Sequence, residues 1–132
     1  MDNNRFGNLV EERLDSCMST LIQKDKEYGS EKDRLHNFKV AAAIKDETVE
    51  EALLGMWVKH IVSIVDLMKN PETATKELLK EKFGDNINYS LLAEAVLTER
   101  IEGKESKVVC EVGKHVQSQS MHHEPKVFKN LS

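Results

Sequence analysis

The sequence predicts an all-α fold: a four-helix bundle-like domain over residues 1–102, followed by a flexible tail over residues 103–132. Three observations lead there. Apolar residues recur at three- and four-residue spacing through long stretches, the period of one helix face. The apolar positions are mostly Leu, Val, Ile, Ala and Met, with only 5% aromatics, a choice that suits helices better than a β-sandwich. Only two prolines and six glycines interrupt 132 residues, of which 39% are hydrophobic and 32% charged, so a single packed core is expected.

The first helix is read over about Asn8 to Glu27, where Leu9, Val10, Leu14, Cys17, Met18, Leu21 and Ile22 share a side and Glu11, Glu12, Asp15 and Lys26 fall elsewhere. Tyr28, Gly29 and Ser30 break it, with Ser30 as N-cap of a shorter second helix that sets Leu35, Phe38 and Ala42 on one face. Asp46 or Thr48 caps the third helix, which runs to about Lys69 before Asn70 and Pro71 end it. The fourth begins near Thr73 or Thr75, tolerates Gly84 as an interruption or a close packing contact, and runs to about Ile101, where Gly103 stops it. Beyond Gly103 the chain reads as a mobile tail with a short strand over Lys107–Val112 and a polar, His-rich stretch over Ser118–Pro125.

Several function classes drop out. No apolar run reaches the roughly 18 residues that span a bilayer, and the opening MDNNRFGNLVEERLD lacks the basic and apolar regions of a signal peptide, so no membrane partner and a cytoplasmic location are expected. Cys17 and Cys110 are far apart without a CxxC companion, which argues against a disulfide framework or a zinc knuckle. A net charge of −4 without a basic stripe argues against a DNA or RNA polymer as partner and leaves a small ligand or a protein.

On the third helix Val49, Leu53, Met56, His60, Ile64 and Leu67 share a stripe, so His60 sits among apolar residues, and Lys59, Ser63 and Asp66 form a narrow polar wedge beside it. On the fourth, Leu78, Asp85, Leu92 and Val96 share a stripe with Asn88 beside them, which turns Asp85 and Asn88 inward. A carboxylate against apolar surroundings needs a cation, and Lys59 and His60 are the candidates. Such a set also arises as an ion pair that merely fixes helix register. Against that stands the convergence of Lys59, His60, Ser63, Asp66, Glu81, Asp85 and Asn88 on one inter-helix space, where bundles build ligand and metal sites. Near the second helix, Arg34 suits a phosphate and Asn37 a base edge, with His36 between them.

The segments YGSEKDRLHNFKVAAA, KHIVSIVD and EKFGDNINYSLLAEA resemble, over about residues 8–100, small phage and prophage proteins related to the all-α MazG-like nucleotide pyrophosphohydrolases and to phage nucleotide-modification-associated domains. The resemblance implies a nucleotide ligand in a bacterial host cytosol. It also implies Mg²⁺ held by a Glu-x-x-Glu on one helix and a Glu-x-x-Asp on the next, activating a water toward a nucleotide phosphate. Asp85 takes the aspartate position. Lys82, not Glu, lies three residues before it, with Glu81 four before, and Lys59, His60 and Ser63 stand where the first acidic pair belongs, leaving Asp66 as the acid there.

Two readings follow, with a third behind them. As an enzyme, the chain is a Mg²⁺-dependent pyrophosphohydrolase with Glu81, Asp85 and Asp66 on the metal, Asp85 and Glu81 catalytic, and Lys59 on the phosphates. As a binding module it sequesters a nucleotide, for example an immune second messenger, with Lys59, His60, Ser63 and Arg34 on phosphate, His36 near them, and Asn37, Asn88 and Tyr89 at base or sugar. As a structural adaptor its polar residues only fix packing. A third helix apolar on nearly every side also predicts a homo-oligomer, a dimer or higher, because about 100 residues cannot bury all of that surface.

Overall fold

The computed structural model describes the backbone of residues 1–28 and 33–120, and the side chains of residues 1–23 and 33–104. The fold is all-α and bundle-like: α1 (Asn3–Tyr28), α2 (His36–Lys45), α3 (Val49–Lys69), a 3-10 turn (Pro71–Thr73) and α4 (Lys76–Ser120), with no strand among the described residues. Residues 1–97 form one compact unit, and residues 98–132 form a second, described as far as Ser120 and helical to that point.

The helix starts follow local hydrogen-bond chemistry. α1 begins five residues earlier than its apolar period suggests, because Asp2 Oδ1 accepts the Arg5 N–H at 2.8 Å and satisfies a first-turn donor. Ser30, the expected cap of α2, lies outside the described residues. Asp33 does related work, its Oδ1 accepting the Leu35 N–H at 2.9 Å while its carbonyl accepts from His36. Of the two caps offered for α3, Thr48 takes the position in a full capping box with Glu51, and Asp46 instead closes α2 in a left-handed conformation with φ 54°. Thr75 Oγ1 accepts the Leu78 N–H at 3.1 Å and opens α4.

α4 departs furthest from expectation. Gly103 does not stop it, and residues 107–112, expected as a strand, are helical. Gly103 has no positive φ, so it forms no left-handed cap. A lone glycine among Glu and Lys residues costs about 1 kcal/mol relative to alanine, too little to end a helix without a following breaker. The β-branched valines of KVVCEV lower helix propensity only slightly. Residues 121–132 of the expected tail lie outside the described residues.

The core sits where α2, α3 and α4 meet: Leu35, Phe38, Leu53 and Val96 are buried together, with Val49, Met56, Trp57, Tyr89, Leu92 and Ala93 packed against them. α1 lies along α4, where Cys17 is buried against Gly84. A Cβ at Gly84 would stand 3.9 Å from Cys17 Sγ, an ordinary contact, so this glycine permits close approach without being demanded by it. The Arg13 guanidinium donates to the Lys80 carbonyl at 3.0 Å and adds a polar tie between the same helices.

Candidate functional site

His60 and Asp85 face each other from α3 and α4, with Nδ1 and Oδ2 3.2 Å apart. The Tyr89 ring, one turn beyond Asp85, lies 4.9 Å from the imidazole. Asn86 braces the helices beside this pair. Its Nδ2 donates to the His60 carbonyl at 2.8 Å and to the Lys82 carbonyl at 2.9 Å, while its Oδ1 accepts from the Trp57 indole at 3.0 Å. Both residues escaped the sequence reading. The signal was a lone tryptophan on a packed helix, whose N–H requires an acceptor.

A cleft of about 280 Å³ opens beside the pair. Its polar lining is Arg34, Asn37, Asp85, Asn88 and Tyr89, and its apolar wall is Leu21, Phe38, Met56 and Leu92, so all four helices or their approaches contribute. Asn88 is only 8% exposed, yet its Oδ1 is buried without a hydrogen-bond partner. Buried acceptors are nearly always satisfied, so this orphaned oxygen, in a residue that lines the cleft, lacks a donor. Burial, and after it the charge of Asp85, pushes the Tyr89 hydroxyl above its usual range, which keeps it a donor near neutral pH. The Cys17 thiol is pushed up by burial, with Arg13 opposing and Asp85 adding.

The expected residues separate into groups. Arg34, Asn37, Asp85, Asn88 and Tyr89 come together in the cleft, with His60 against two of them. Lys59, Ser63 and Asp66 do not join them. Successive helical residues are about 100° apart, so turning His60 toward α4 turns Lys59 away, and Lys59 is exposed. Ser63 bonds back to the Lys59 carbonyl at 2.9 Å, and with Asp66 it lines a separate depression beside Asn70 and Lys82. Glu81 lies in a third depression, between α1 and α4, that shares Asp85 and Asn88 with the cleft. His36 is exposed and lines none of these three.

The Mg²⁺ set of Glu81, Asp85 and Asp66 is therefore not assembled. Mg²⁺ requires several oxygen ligands in near-octahedral order. Among the described residues no three His, Cys, Asp or Glu side chains gather as such an ion needs. Asp85 meets His60, Glu81 meets Lys82 at 2.6 Å, and Asp66 is elsewhere. Of the expected set, Glu81 and Asp85 share the depression between α1 and α4, and Asp66 lies in another.

No helix among the described residues is long and apolar enough to cross a membrane. Comparison of the chain with protein-family models, curated proteins and solved structures found no match in any of the three.

Proposed function

We propose that this chain binds a nucleotide-type ligand, a planar base joined to a phosphate-bearing sugar, in the cleft lined by Arg34, Asn37, Asp85, Asn88 and Tyr89, and holds it without metal-dependent hydrolysis. The observation that carries this reading is Asn88, a buried amide whose Oδ1 has no partner, among the residues that line that cleft and the depression beside it. A base amino group or a sugar hydroxyl supplies the donor it lacks. Arg34 offers the planar fork that suits a phosphate, and Phe38, Met56 and Leu21 offer the apolar wall that suits a base. At about 280 Å³ the space lies near the lower end of small-molecule pockets, roughly 300–1,000 Å³.

Capture is preferred to turnover because Asp66 lies away from Glu81 and Asp85, so the three carboxylates of the expected set do not converge. Arg34, the basic side chain in the lining of the cleft, favours an anion over a metal there. In this reading the chain acts as a sponge for a nucleotide signal in a bacterial host.

The test is a screen of nucleoside triphosphates, cyclic dinucleotides and cyclic ADP-ribose isomers, with and without Mg²⁺, analysed by chromatography before and after heat denaturation of the protein. A compound that leaves solution and returns intact on denaturation supports capture, and Asn88→Leu should abolish its uptake. A compound consumed only with Mg²⁺, with the loss stopped by Asp85→Ala, overturns capture in favour of hydrolysis. No change with any compound leaves the helical adaptor.

A further inference from the structure

The two sides of α3 have different fates. Val49, Leu53, Met56, Trp57 and His60 meet α2 and α4, whereas Leu54, Val58, Ile61, Val62, Val65 and Met68 on the opposite side are between 38% and 72% exposed. Leu54, Val58, Ile61, Val65 and Met68 follow the alternating four- and three-residue steps of a coiled-coil seam. The seam extends for most of a 21-residue helix, about 30 Å long.

The ends of this face are charged and opposite. Glu51 precedes Leu54 and Lys69 follows Met68, and because they are 18 residues apart, about five whole turns, they project at the same azimuth. A parallel pair of such helices sets Glu51 against Glu51 and Lys69 against Lys69. An antiparallel pair about a two-fold axis near residue 60 sets Glu51 beside the partner's Lys69 twice and stacks the aliphatic middle on itself. The face is thus complementary to its own copy in one orientation, as a closed two-fold interface requires.

We infer that α3 is the dimerisation helix of this protein, and that a second copy of the chain docks antiparallel along Leu54, Val58, Ile61, Val65 and Met68. The inference is independent of the ligand proposal, because His60 and the cleft lie on the other side of the same helix.

Light scattering after gel filtration reads the mass of the full chain. At about 50 µM the expected mass is twice that of one chain, or an even multiple, and Ile61→Asp should weaken association by at least about tenfold with the helical circular dichroism unchanged. Orientation is read by oxidative cross-linking in a Cys110→Ser background. Leu54→Cys mixed with Val65→Cys should cross-link at least about ten times faster than either alone. A monomer at that concentration overturns the inference. So does cross-linking of Leu54→Cys to itself as fast as to Val65→Cys, which would mean parallel or nonspecific pairing.

Discussion

The imidazole of His60 and the carboxylate of Asp85 meet across α3 and α4 with Nδ1 and Oδ2 3.2 Å apart, and only part of that contact is sheltered, the side chains being 17% and 29% exposed. The contact engages one nitrogen of the imidazole, Nδ1. It also places a negative charge close to two groups that ionise to anions, Cys17 and Tyr89.

Removing that charge should therefore be felt at Cys17. Burial is the first cause of the raised thiol, and Asp85 adds to it. Asp85→Asn should lower the pH at which Cys17 becomes reactive while changing stability by no more than about 1 kcal/mol, as expected for a part-exposed pair. The measurement is the pH dependence of iodoacetamide labelling in a Cys110→Ser background. An unchanged or upward-shifted profile would contradict the arrangement.

Asn88 is a buried amide with an orphaned acceptor, so its replacement should help the fold and harm the site. Asn88→Leu is expected to raise stability by about 1 kcal/mol, because an unpaired buried polar group gives way to an apolar one of similar size. Urea unfolding of the ligand-free protein measures it. A less stable variant would show that the oxygen is satisfied in solution.

Asp33 is held ionised by its hydrogen bond from Lys39, at 2.8 Å, and next by that from the Leu35 N–H, which together place its carboxyl below the usual range. A depressed value means that the stabilisation is present above the unfolded-state value, near 3.9, and disappears as pH falls through the folded one. Asp33→Ala should cost about 1 kcal/mol at pH 7, and the gap between variant and parent should be smaller at pH 3. Denaturant midpoints at the two pH values decide the matter.

Gly84 occupies an interior turn of α4 with room for a methyl group, 3.9 Å from Cys17 Sγ. Gly84→Ala should stabilise the chain by about 0.5–1 kcal/mol through backbone entropy alone. A lower melting temperature would mean that α1 and α4 approach more closely in solution than this geometry allows.

Much of the architecture was legible because helix period and cap chemistry act locally. The stripe through Val49, Leu53, Met56 and His60 defined the packed side of α3, and Asp85 and Asn88 turned inward as their stripe required. The site was legible only in part. Lys59 was drawn to Asp85 by charge, but its neighbour His60 already held the facing direction, and one helix cannot present both. The extent of α4 is not legible from Gly103, because a single glycine stops a helix only where the backbone after it turns away, and here the helix continues to Ser120. Asn86 is not legible from sequence, because two of its three bonds depend on α3 being across from it, a fact of tertiary packing that no local period encodes.

The core of Leu35, Phe38, Leu53 and Val96 is thin, and no large side chain among the described residues is fully enclosed. Unfolding of a lone chain then newly hydrates little apolar surface. Its heat-capacity increment should fall below the roughly 12–15 cal/mol/K per residue usual for globular domains, and its denaturant dependence should be shallow. Calorimetric scans at rising protein concentration should show a steeper transition displaced to higher temperature, since the aliphatic face of α3 then contributes its own dehydration to the folded state.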